Sequence, residues 1–248
     1  MPDPVVILII ILVFVLAGTV KGIIGLGLPS VSLALLSVAI ELPSAMALLL
    51  VPSLVTNVWQ MLDGNDTWNV FKRIWRFLAM ATLSVWIGAL ALGRLELHLL
   101  SVLLGSLLIA YAALGLTGLR LTLSKTKERY AGPLLGMLNG VLTGMTGSFV
   151  VPGVMYLQSI NLSRNSLVQA MGMLFTASTI ALALALKGNG FLNPELGLLS
   201  ALGVVPALVG MYIGRHLRQR LSENGFRRAF FIALLVLGGY IIWSNITL

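Results

Sequence analysis

The sequence predicts an all-α membrane protein, a polytopic helical bundle of two inverted-topology repeats, each a Gly/Pro-broken, hairpin-like segment plus three transmembrane helices. Three observations lead there. The 248 residues are 58% hydrophobic and only 10% charged, whereas a soluble domain carries about 25% charged residues to cover its surface. With a mean hydropathy of +1.00, too little polar material is present to wrap a water-exposed globule, so lipid must solvate most of the surface. Apolar runs of spanning length recur along the chain, and the basic residues sit in short stretches between them. The net charge of +8 is therefore read as membrane orientation rather than as a basic face for nucleic acid.

The N-terminal run MPDPVVILIIILVFVLAGTVKG has no basic n-region and continues into the next apolar stretch, so a cleaved leader is not expected. A crossing helix needs roughly 20 mainly apolar residues. Ser44–Leu62, Ile74–Leu92 and Leu97–Thr117 meet that need in the first half, and Ser166–Leu186, Glu195–Gly214 and Phe226–Trp243 in the second. Each half opens on a segment too long for one upright span and short for two. Gly18, Gly22, Gly25, Gly27 and Pro29 interrupt Val5–Ile40; Gly136, Gly140, Gly144, Gly147 and Pro152 interrupt Ala131–Ile160. The chain thus divides into an N-terminal repeat, 1–117, with its broken segment at 5–40, a basic cytoplasmic linker, 118–130, and a C-terminal repeat, 131–248, with its broken segment at 131–160.

The halves resemble each other. GTVKGIIGLGLPS from Gly18 lies against GMLNGVLTGMTGSFVVP from Gly136, which pairs Lys21 with Asn139. Glu41-Leu42-Pro43 matches Asn161-Leu162-Ser163 at an offset of 120, and Gly93-Arg94 matches Gly214-Arg215 at 121. Charge then selects a topology. If each broken segment enters and leaves on one side, 13 basic residues fall on one face and 2, Arg94 and Lys187, on the other; if each crosses once, the split is 8 against 7. The positive-inside rule favours the first arrangement, in a cell membrane with both termini outside the cytoplasm. An even-crossing segment plus three spans is an odd total, so the two repeats face opposite ways, an architecture shared by many secondary transporters.

Interrupted backbone leaves N–H and C=O groups unpaired, which costs several kcal/mol each in hydrocarbon and is tolerated only against protein, water or a ligand. A helix that starts after such a break turns free N–H groups and its positive dipole end toward whatever lies there, which suits an anion. Gly25–Ser30, including Gly27, and Gly144–Ser148, including Thr146 and Gly147, are the candidates for that role, with Thr143 beside the second; close helix packing is the competing reading of the glycines. Lys21 is the only basic side chain well inside an apolar segment. A charge at that depth faces a cavity, a ligand or a partner, unless it snorkels to an interface. The acidic residues and both histidines, His98 and His216, lie in loops or at helix ends, and cysteine is absent. No cation site, proton-relay carboxylate, metal site, cofactor or nucleophile–base pair is expected, and the chain is not expected to be an enzyme. Asn57, with Thr56 and Gln60, and Gln169, with Thr176 and Ser178, add intramembrane polar groups that either bind a ligand or join helices.

Lys21-Gly-x-x-Gly-x-Gly-x-Pro29 in the first break, and Asn139-Gly140 with Thr143-Gly144-Met145-Thr146-Gly147 in the second, resemble the TauE/SafE sulfite exporter family. The resemblance covers nearly the whole chain, including the basic middle loop and the Gly-Arg pairs ending at Arg94 and Arg215. Family members often carry a longer glycine run after the first break, where this chain reads Gly-Leu-Gly-Leu-Pro. The resemblance implies export or uptake of sulfite, sulfoacetate or another small sulfur-containing or organic anion, without ATP hydrolysis by this chain. Alternating access around a midplane site is the expected mechanism; an anion channel and an assembly subunit without flux are the competing readings. The expected partners are a small anionic substrate, the lipid bilayer and, where a dimer forms, a second copy of the chain; nucleic acid is not among them.

Overall fold

The computed structural model describes residues 4–64, 66–118 and 122–247; Asp3 and Arg120, placed in loops by the sequence, lie outside that set, as does the side chain of Glu223. In chain order the helices are α1 (Pro4–Ile24), α2 (Leu28–Ala39), α3 (Leu42–Leu48), α4 (Leu50–Leu62), α5 (Thr67–Leu83), α6 (Val85–Leu92), α7 (Leu97–Thr117), α8 (Lys125–Thr146), α9 (Gly153–Ser159), α10 (Arg164–Gly188), α11 (Pro194–Leu202), α12 (Val204–Arg218) and α13 (Glu223–Ile246), with no strand among the described residues. Six stretches are long and apolar enough to cross a membrane: α1, α5 with α6, α7, α10, α11 with α12, and α13. A further pair, α3 and α4, meets the test only as a span bent by 44°. The first broken segment is thus a full-length helix followed by the 12-residue α2. The predicted linker is shorter than expected, because α8 begins at Lys125 rather than beyond Tyr130. Lys, Glu and Arg are good helix formers, and Glu128 in the first turn complements the helix dipole.

Two compact units divide the chain, and each combines segments of both predicted repeats. The first takes the described residues of Met1–Pro52, Glu96–Gly118 and Phe191–Leu248. Within it α1 crosses α12 at backbone contact: a Cβ at Gly18 or Gly22 would land on the carbonyl oxygens of Ala207 or Met211, and one at Gly210 or Gly214 on those of Val15 or Thr19. Small residues at four-residue spacing on both helices permit this approach, the usual packing device where lipid supplies no hydrophobic drive. The α3–α4 bend leaves backbone groups that Ser200 of α11 satisfies, its hydroxyl donating to the Leu48 carbonyl (2.8 Å) and accepting from the Val51 N–H (3.0 Å).

The second unit takes Ser53–Leu95 and the described residues of Leu119–Gly190. Here α8 lies on α5 and α6 in the same way: Gly136, Gly140 and Gly144 meet the backbone oxygens of Phe77, Ala81 and Val85, and Gly88 meets that of Val141. Ser84, between α5 and α6, donates to the Met137 carbonyl at 2.9 Å. In both units, then, the first helix of a broken segment packs on the second of the three spans predicted for the other half. Gly18, Gly22, Gly136, Gly140 and Gly144, which the sequence groups with the interruptions, lie inside continuous helix and serve these crossings. The chain breaks later, at 25–27 and 147–152.

Candidate functional site

In the first unit α1 ends because Gly25 turns left-handed (φ 80°) and returns its N–H to the Lys21 carbonyl at 2.8 Å, an αL cap that glycine takes without strain. Lys21 therefore sits in the last helical turn, 4% exposed. A cation there complements the negative end of the helix dipole. Among the described residues it is the only charged side chain that is buried. The chain reopens as α2 at Leu28, with Gly27 (φ 107°) as N-cap, Pro29 in the first turn and no side-chain cap. The first-turn N–H groups of Leu28 and Ser30 have no partner within the helix, and Ser30 is buried beside them. Gly25, Gly27, Ser30 and Lys21 thus fall on one short break, and Gly25–Ser30 does contain the helix start expected of it.

In the second unit α8 ends by the same cap: Gly147 (φ 74°) donates to the Thr143 carbonyl at 2.8 Å. Residues 144–148 are accordingly a helix end and not the helix start that the glycine spacing suggested; the next N-terminus is at Gly153. That N-terminus is already engaged, since the Asn139 Oδ1 accepts the Gly153 N–H at 2.9 Å. Thr143 donates to the Ser148 carbonyl at 2.9 Å, and the Thr146 hydroxyl accepts the Ser148 N–H at 3.2 Å while donating to Leu142. Asn139, Thr143 and Thr146 form one stripe of α8, and each spends a polar atom on the backbone of the break. The Asn139 Nδ2 remains without a hydrogen-bond partner among the described residues, as do the Ser53, Thr176 and Ser178 hydroxyls and the Gln60 Oε1.

Gln169, on α10, is committed to helix joining, with its Nε2 donating to the Met61 carbonyl (3.1 Å) and the Thr67 hydroxyl (2.6 Å). Gln60 reaches back to the Val168 carbonyl at 2.9 Å. Asn57 and Thr56 are fully buried on α4. Ser53 and Ser200 were not singled out by sequence; a serine in an apolar span was the only available signal. Among the described residues no Asp or Glu is buried and no group of three His, Cys, Asp or Glu could hold a metal ion.

Long apolar helices interrupted by capped breaks, with hydroxyls, amides and one lysine buried among them, define a multi-pass membrane protein. The family model described as Sulfite exporter TauE/SafE matches residues 10–241, nearly the whole chain. The chain belongs to that family of membrane anion transporters, which are not enzymes. Neither the curated proteins nor the solved structures yield a match.

Proposed function

We propose that the chain is a secondary carrier for a small oxyanion, sulfite or an organosulfonate or organic acid of similar size, cycling by alternating access. The observation that carries this reading is the burial of Lys21 in a spanning helix while no carboxylate is buried among the described residues. A lone class of buried cation favours anionic cargo. In the first unit the proposed binding groups are Lys21, Ser30 and the first-turn N–H groups at Gly27–Ser30. In the second they are the open Nδ2 of Asn139 with Asn57, Ser148 and the hydroxyls left unsatisfied, while Thr143, Thr146, Gly147 and Gln169 hold the surrounding backbone and helices.

Flux of labelled sulfite into proteoliposomes tests the proposal. Wild-type protein should show saturable uptake absent from empty vesicles, and Lys21→Ala should lose it while eluting as a monodisperse species. Uptake by Lys21→Ala at the wild-type rate would sink the assignment, and single-channel currents would replace the carrier with a pore. The orientation proposed with it puts the basic ends in the cytoplasm and both termini outside. A cysteine introduced at position 247 should then react with an impermeant reagent added to intact cells; protection until the cells are opened would reverse the orientation.

A further inference from the structure

A cavity of about 240 Å³ opens in the second unit between the N-terminal halves of α5 and α8, with Tyr156 of α9 in its wall. Its wall carries five cationic side chains, Lys72, Arg73, Arg76, Lys125 and Arg129, and a single carboxylate, Glu128. That carboxylate is already taken: Arg73 Nη2 holds Glu128 Oε1 at 2.7 Å, and the same guanidinium donates to the Ile160 carbonyl, so the pair braces the wall. Lys72, Arg76, Lys125 and Arg129 have no carboxylate within ion-pair distance among the described residues. Two of them rest on aromatic faces, Lys72 over Trp68 at 5.1 Å and Arg76 over Trp75 at 5.4 Å, which fixes their position without cancelling their charge. Tyr156, 4% exposed, lines the cavity with its hydroxyl beside Gly132, where an added Cβ would come within 2.8 Å of it. Its ring is held against Phe77 at 4.6 Å.

We infer that this cavity is a binding site for a phosphate-type oxyanion, distinct from the proposed transport site. Four uncompensated cations and a phenol converge on a space that takes a phosphate group with several waters, a water occupying about 30 Å³. Arginine and lysine are the usual donors to phosphate oxygens. The cavity also lies near the start of the α5–α6 span. Exposed Trp68, Phe71 and Trp75 flank it on α5, and exposed Leu134 and Leu138 continue along α8. Aromatic side chains of this kind sit at headgroup level, and basic pockets between spanning helices hold anionic headgroups. The phosphate is therefore supplied either by an anionic phospholipid, with its chains along the exposed leucines, or by free inorganic phosphate.

The delipidated full-length protein in detergent distinguishes the two sources. Native mass spectrometry and the thermal unfolding midpoint would be followed with dioleoylphosphatidylglycerol, with dioleoylphosphatidylcholine as the zwitterionic control, and with inorganic phosphate alone. Saturable binding of phosphatidylglycerol over phosphatidylcholine supports the headgroup source, and stabilisation by millimolar phosphate alone supports the free anion. Arg76→Gln with Arg129→Gln should weaken either by roughly 30-fold, at about 1 kcal/mol per basic residue, whereas Arg76→Lys with Arg129→Lys should retain most of it. If the Gln pair does not fold, Lys72→Gln with Lys125→Gln, both exposed, replaces it with the same expectation. Equal binding of the two lipids together with no effect of phosphate, or Gln variants that bind within threefold of wild type, would overturn the site.

Discussion

The two broken segments share a scaffold and differ in what they do with it. Gly25 and Gly147, 122 positions apart, close α1 and α8 by the same left-handed cap, each returning its N–H four residues back at 2.8 Å. The glycine crossings agree with that register, Gly18 and Gly22 answering to Gly140 and Gly144. On it Lys21 corresponds to Thr143, and the stripe Ala17, Lys21, Ile24 corresponds to Asn139, Thr143, Thr146. The first break is three residues long and opens on the Gly25 cap; the second is six, and Asn139, Thr143 and Thr146 hydrogen-bond its backbone. The same helix face thus carries a buried charge beside the short break and is spent on backbone hydrogen bonds beside the long one.

The largest effect is expected at the crossings. Gly22→Ala and Gly144→Ala each drive a Cβ into backbone oxygen, and each should destabilise by about 3 kcal/mol, the upper end for overpacking; a thermal midpoint left unchanged in either one would end the equivalence of the two helices. Asn139→Ala should cost about 2 kcal/mol, because the buried Gly153 N–H loses its acceptor. Gly25→Ala meets nothing within 4 Å, so only left-handed strain of about 1–2 kcal/mol applies. Thr143→Val, which removes only the bond to Ser148, should cost about 1 kcal/mol. Denaturant or thermal unfolding in detergent reads all five, and an Asn139→Ala protein as stable as wild type would show that the second break does not depend on its stripe.

Much of this was legible in the sequence. The spans stand out because lipid demands uninterrupted apolar length, and both breaks lie within the Gly/Pro-rich stretches that announced them. The register between the two broken segments was not. Glycines at 136, 140 and 144 recur once per helical turn, so a slip of four residues pairs Gly18 and Gly22 equally well with either couple; the slip that matches Lys21 to Asn139 leaves Gly25 opposite Thr143, and only the left-handed cap at Gly147 decides. The role of residues 144–148 was misread for the same reason, since glycine spacing does not say whether a helix is ending or starting. Gln169 and Thr143 carry the polarity expected of ligands, yet hydrogen-bond geometry alone shows their donors spent on Met61, Thr67 and Ser148. The helical start of α8 at Lys125 was hidden because a charged stretch between spans reads as a loop.

Equilibrium binding of labelled sulfite to detergent-purified protein, wild type against Lys21→Thr, tests the central claim most directly, because it gives the first segment the residue found at the equivalent place in the second. Hydrogen bonds to charged groups contribute about 1.5–3 kcal/mol, so the variant should bind at least roughly tenfold more weakly at an unchanged thermal midpoint. Equal affinity in the two proteins would contradict it.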